Sequence, residues 1–324
     1  MSDDSLNRRD FLKRTGRLAA AAGAAGLAGN ALGAADAKAA TGPRAPAEAK
    51  PAPADPKAPA KPADPKASAG MPTVKLGSLE VSRLILGSNP FWGYAHKPGN
   101  LGEQMKAYYT DAKITEVLNE AADCGITAVA SPPAERWIGV FKRYLDSGGK
   151  LKIWIAQPDG PPEQMKDEIA TAVKGGAKAV FVQGARVEEQ YGQKKLDVLK
   201  AWVEHIKNLG AVAGLAAHWP EIHPDLEGRG FPTDFYFQCM FNVSKGELYR
   251  LAERTKAVET IRKIEKPVVA YKILGAGRLT APEGFEYAFN HLRRKDAVCV
   301  GVYTKDAVDQ IRENATLTEA LTTK

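Results

Sequence analysis

Beyond Pro72 the chain alternates between two hydrophobic periods. Short runs dense in Val, Ile, Leu, Ala and Phe end in Gly, Asn, Gln or His. Stretches of ten to twenty residues, apolar at three- and four-residue spacing, separate them. The first kind reads as strands buried on both faces, the second as helices with one buried stripe. Strand segments fall at 83–89, 126–132, 152–157, 179–184, 212–218, 234–242, 267–274 and 296–303. Helical patterns such as "KITEVLNEAADCG", "MKDEIATAVKGG" and "LDVLKAWVEHIKNLG" lie between them and end in the glycine that stops a helix. Eight such units in about 250 residues predict a single (β/α)8, or TIM, barrel spanning 72–324. "TVKLGSLEVS" (73–82) reads as a hairpin closing the barrel floor. An open doubly wound sheet is the weaker alternative, because no GxGxxG follows the first strand.

Ahead of the barrel the periodicity stops. Residues 41–71 are dominated by Pro, Ala, Lys and Asp and hold no Ile, Leu, Phe or Val, which predicts a disordered, extended linker. Residues 1–40 open with "NRRDFLKRTG", continue through a Gly- and Ala-rich run from Leu18 to Gly33, and offer small residues at Ala35 and Ala37. This resembles a twin-arginine export signal and predicts passage through that machinery to the periplasm or the exterior. The run is too short and too rich in Gly to be a stable membrane span.

The net charge of +7 is shared among the three segments, and the barrel holds only 34 basic against 31 acidic residues. With no basic stripe interleaved with aromatics, nucleic-acid binding is not expected. Three cysteines without a CxxC pair give no disulfide framework.

A barrel places its chemistry where the strands end in their C-terminal direction. The polar residues there are Asn89, Ser131, Gln157, Gln183, His218, Gln238, Asn242, Lys272 and Arg278. Lys272 interrupts the apolar run "VVAYKILGAGR", where a charge is costly unless it serves a purpose. It reads as a snorkelling or paired lysine, an imine-forming amine, or a cation for an anionic or polyhydroxy substrate; Arg278 nearby favours the last. His218 opens "HWPEIH", with Glu221 and His223 following, but Pro220 and Pro224 break any helical ligand spacing, so no metal is expected. His223 reads as a packed structural histidine, and Cys239 as a core filler.

Three stretches resemble the aldo/keto reductase superfamily. "LGSLEVSRLILGSNPFWG" (76–93) is similar to its opening hairpin and first strand. "PVVAYKILGAGRL" (267–279) is similar to its seventh strand and Gly-rich loop, and "VCVGVYTKDAVDQIREN" (298–314) to its last strand and helix. The resemblance implies a cofactor, NADP or NAD, contacting Gly301, Tyr303, Thr304 and Lys305. The family's catalytic set is missing. Ala130, Ser131 and Pro132 stand where its Asp is expected, no Tyr follows before Tyr144, Ala156 or Gln157 replaces the Lys, and Gln183 replaces the His. The resemblance therefore implies an exported oxidoreductase for a small carbonyl or sugar-like substrate. The residues leave two alternatives open: a lyase, isomerase or hydrolase using Lys272 and His218, with Asn89, Gln183, Gln238, Asn242 and Arg278 binding substrate, or a non-catalytic binding barrel.

Overall fold

A computed structural model describes residues 70–242 and 248–322. The export segment with Arg8 and Arg9, and all of the linker but its last two residues, lie outside the described residues. The hairpin expected at 73–82 forms from β1 (Thr73–Leu76) and β2 (Leu79–Ser82), antiparallel with Leu76 opposite Leu79. Gly77 makes the turn at φ +58°; a Cβ there would stand 3.0 Å from both Asp234 and Val212, so the turn presses against the starts of two later strands. Val74, Leu76 and Val81 join the apolar cluster inside the barrel and plug its floor.

Each predicted strand segment contributes one parallel strand: β3 (Leu84–Gly87), β4 (Ala128–Ser131), β5 (Ile153–Ala156), β6 (Ala179–Val182), β7 (Val212–Ala217), β8 (Phe235–Cys239), β9 (Val268–Tyr271) and β10 (Ala297–Gly301). They close in chain order, with β10 between β9 and β3. Alternation sorts their side chains. Ile85, Ile155, Phe181, Phe237 and Val269 face inward, while Leu84, Leu86, Trp154, Leu215 and Tyr236 face the helices.

The helices are α1 (Leu101–Tyr108), α2 (Asp111–Asp123), α3 (Glu135–Asp146), α4 (Met165–Lys174), α5 (Gly184–Gly192), α6 (Leu196–Asn208), α7 (Ile222–Gly228), α8 (Glu253–Arg262), α9 (Ala281–His291) and α10 (Gln310–Thr322). None is long and apolar enough to cross a membrane among the described residues. Two connections carry a helix beyond the expected unit. Between β6 and β7, α5 precedes α6; after β3, α1 is added, and its Leu101, Met105 and Tyr108 recur at four- and three-residue spacing and pack on the core.

Closure is pinned at the bottom of the β9–β10–β3 seam. Asp296 is fully buried. Its carboxylate accepts from the Val268 and Arg293 amides at 3.0 and 2.9 Å and from the Arg293 guanidinium at 2.8 Å. Arg83, ahead of β3, donates to the carbonyls of Asp296 and Arg293, both at 3.0 Å, and its own carbonyl accepts from Val298. Replacing Asp296 with Ala strands the Arg293 charge and the Val268 amide. Unfolding free energy from denaturant titration should fall by about 3–5 kcal/mol; a loss under about 1 kcal/mol would show that the seam closes without it.

Candidate active site

Strand parity decides which side chains reach the barrel mouth. On β9 the inward residues are Val269 and Tyr271. Lys272 is already outside the strand, at φ +58°, a left-handed backbone that non-glycine residues adopt at a cost of about 1–3 kcal/mol. The Gly275 amide closes the turn onto the Lys272 carbonyl at 2.8 Å. The lysine in the apolar run is therefore a turn residue. Its ammonium lies 5.7 Å from the Tyr249 ring, and its charge reaches the Cys239 thiol. Burial pushes that thiol up to about 12, which suits a filler and not a nucleophile.

His218 follows the last residue of β7 and is the best-defined polar group at the mouth. Glu188 on α5 receives it twice: Glu188 Oε1 accepts from the His218 amide at 2.5 Å and pairs with Nδ1 at 2.9 Å. With the proton of a neutral imidazole held on Nδ1 toward the carboxylate, Nε2 is left as the basic nitrogen. The ring rests over Gly184, where a Cβ would come within 3.3 Å of Nδ1. On its other side the Tyr271 ring stands edge-on, 5.7 Å between centroids. Burial raises the Tyr271 phenol well above its usual pKa, so it stays protonated. Half-buried Gln183 occupies the position ahead of α5 next to Gly184, its side chain making no capping bond, and Gln157 occupies the matching position after β5. Glu188 and Tyr271 did not emerge from the sequence. Tyr271 was open to discovery, since it shares the parity of Val269, but Glu188 is one of several acids on its helix and meets His218 only through the fold.

Other expected site residues are placed elsewhere. Gln238 has the parity opposite to Phe237 and Cys239, is fully buried, and donates to the His218 and Cys239 carbonyls, both at 3.2 Å. Asn242 is buried at φ +62°, its amide bonded to Glu253 at 2.7 Å and its side-chain oxygen accepting from Tyr249, so it shapes the loop after β8. Arg278 stacks on Tyr249 at 3.8 Å and donates to the Gly275 and His96 carbonyls. Lys97 answers it by donating to the Gly277 carbonyl. Asn89 is exposed and starts a 3-10 turn (Asn89–Trp92) after β3.

The stretch 301–305 does not fit the phosphate of a dinucleotide as it is folded. The Tyr303 amide donates to Gln310 at 2.9 Å and the Thr304 amide to the Tyr109 hydroxyl at 3.2 Å. Tyr303 and Thr304 are buried against Tyr108 and Tyr109, and a Cβ on Gly301 would meet Pro90 at 2.8 Å. Gly301 and Lys305 are exposed. Among the described residues no three His, Cys, Asp or Glu side chains gather as a metal site. His223 in particular is buried and turned away, Nε2 on the Phe237 carbonyl at 3.0 Å.

No family profile and no curated protein matches the sequence. Solved structures do. A Pseudomonas aeruginosa protein described as an aldo-keto reductase superposes with a TM-score of 0.54 at 17% identity, over 78% of this chain and 99% of its own. The holo form of an aldo-keto reductase from Bacillus halodurans superposes with a TM-score of 0.53 at 13% identity, over 77% and 91%. At such identities the likeness is one of fold. The chain has the barrel seen in aldo-keto reductases.

The buried His223 makes stability depend on pH. Burial pushes its pKa down to about 4, against about 6.5 when unfolded. Above pH 6.5 both states are neutral there and nothing is lost; as pH falls toward 4 only the unfolded chain takes the proton, and stability drops. Between pH 8 and 4.5 the wild type should lose roughly 2–3 kcal/mol more than His223→Gln in denaturant titrations. Parallel losses would place the histidine in solvent.

Proposed function

We propose that this chain is an enzyme on an aldo-keto-reductase-like barrel that transfers protons at a small carbonyl or sugar-like substrate, with His218 as the base. The supporting observation is the double bond from Glu188 to the His218 amide and Nδ1. It fixes the ring and its tautomer and directs Nε2 away from the carboxylate. This is the arrangement general base catalysis requires, and it contributes roughly 10²–10⁴-fold where the pKa suits the pH. When substrate binds, Nε2 takes a proton, and Glu188 stabilises the imidazolium that results. Gln183 and Gln157 offer neutral donors and acceptors for substrate hydroxyls. Lys272 supplies a positive charge near the same end of β9 without an imine step.

The second reading is hydride transfer from NADP or NAD, and the barrel's likeness to a holo-form aldo-keto reductase favours it. It requires the donors of Tyr303 and Thr304 to be released from Gln310 and Tyr109. Titration with NADPH and NADH, followed by nicotinamide fluorescence, separates the two. We expect no saturable binding, and His218→Gln should lower turnover of a carbonyl or sugar panel by at least about 10²-fold. Saturable cofactor binding would favour the redox reading. Turnover untouched by His218→Gln would end the proton-transfer reading, and failure of the intact enzyme to turn over any compound would favour a binding barrel.

We propose further that the Arg8–Arg9 segment directs the folded protein across the inner membrane. Replacing both arginines with lysine should retain the full-length protein in the cytoplasm, as read by cell fractionation; unchanged export would refute the assignment.

A further inference from the structure

The mouth holds a second proton-carrying group opposite His218, and it is the residue before the lysine. Tyr271 ends β9 and faces into the barrel. In the ladder it stands level with Cys239 on β8 and Cys299 on β10, so a small side chain flanks the ring on each side. Its hydroxyl meets two weak partners, the Ala217 carbonyl at 3.4 Å and the neighbouring Cys239 thiol. A thiol and a distant carbonyl are poor acceptors, and a ligand oxygen would be a better one for this half-buried phenol. The ring is edge-on to His218, with 5.7 Å between centroids, and Phe237 lies 6.3 Å away beneath it. An ordered base and a protonated phenol thus stand edge to face at the ends of β7 and β9. Gln157 and Gln183 follow the neighbouring β5 and β6. The Arg278 and Lys97 cations at the rim are engaged with backbone carbonyls and the Lys272 ammonium lies against the Tyr249 ring, so the cations are held by the protein and the site suits an uncharged substrate.

We propose that Tyr271 is the catalytic acid paired with His218, and that the substrate is an uncharged α-hydroxy carbonyl compound such as a free sugar. This rests on the reading of His218 as base. His218 Nε2 removes the C–H proton next to the carbonyl. The electron pair of that bond becomes the carbon–carbon double bond of an enediol, and the carbonyl π pair moves onto oxygen, which takes the Tyr271 proton. The phenolate then recovers a proton from the neighbouring hydroxyl, and the imidazolium returns its own to the other carbon. The net change is an isomerisation, with no oxidant, reductant or co-substrate.

The test incubates wild type, Tyr271→Phe and His218→Gln in D2O with D-xylose, D-fructose and dihydroxyacetone, following carbon-bound proton exchange and isomer formation by NMR. The wild type is expected to exchange at least one probe. Tyr271→Phe should lower kcat by about 10²–10³-fold with KM changed less than about threefold. The lost hydroxyl makes only weak bonds, to the Ala217 carbonyl and the Cys239 thiol, so the variant should fold; thermal melting checks this. As an independent readout, 3,5-difluorotyrosine at position 271 keeps the shape and acidifies the phenol, so the high-pH limb of kcat should move to lower pH. A Tyr271→Phe rate within about fivefold of wild type, or an unmoved limb, overturns the assignment of Tyr271 even if His218→Gln is inactive. Exchange in His218→Gln as fast as in wild type overturns the base as well. Wild type inert toward all three probes overturns the substrate class.

Discussion

A barrel exists only if its last strand finds its first, and here that join rests on one buried carboxylate. Asp296 ties the start of β9 to the turn before β10, and Arg83 ties that turn to the start of β3. Such a cluster is weak as a source of net stability, because desolvating its charges offsets much of their attraction. Its value is positional. Every backbone group it bonds would otherwise be an unpaired polar atom at the edge of an unclosed sheet. With the seam fixed at the floor, the register of β9 and β10 follows, and with it the level at which Tyr271 and Cys299 meet at the mouth.

The mouth is built on two different principles. At β7 the chain spends a helix, α5, to orient a single ring: Gly184 leaves room for His218 and Glu188 locks it. At β3 and β10 it fills space with aromatic side chains, with Tyr108, Tyr109 and Tyr303 in mutual edge and tilted contact. The Tyr109 hydroxyl donates to the Val302 carbonyl at 2.6 Å and accepts from Thr304, and burial pushes its pKa up to about 12. One side of the rim is thus polar and open to chemistry, and the other is dry and structural.

The sequence made the barrel legible because each strand is a short apolar run and each helix carries a stripe, and both periods survive without neighbours. The hairpin was visible for the same reason. The site was visible only in part. His218 stood out as a polar residue ending an Ala- and Gly-rich strand. Gln238 and Asn242 had the same credentials, yet parity and a left-handed turn took them out of the mouth. Lys272 drew attention because it broke a hydrophobic run, but the strand had ended one residue earlier, and the inward position fell to its neighbour Tyr271. The pairing of His218 with Glu188 spans thirty residues, and nothing local in either segment announces it. The occupied amides of Tyr303 and Thr304 depend on Gln310 at the start of α10 and on Tyr109 just past α1, partners that only the fold brings to them.

That aromatic infill also governs the path of approach. With the β10 and β3 sector occupied by tyrosine rings, and with the loops after β3 and β9 cross-linked by Arg278 and Lys97, the vestibule is eccentric. If His218 and Tyr271 carry the chemistry, selectivity among substrates falls to the connections after β5, β6 and β7, on the His218 side of the barrel, while the tyrosine-filled quadrant holds the frame.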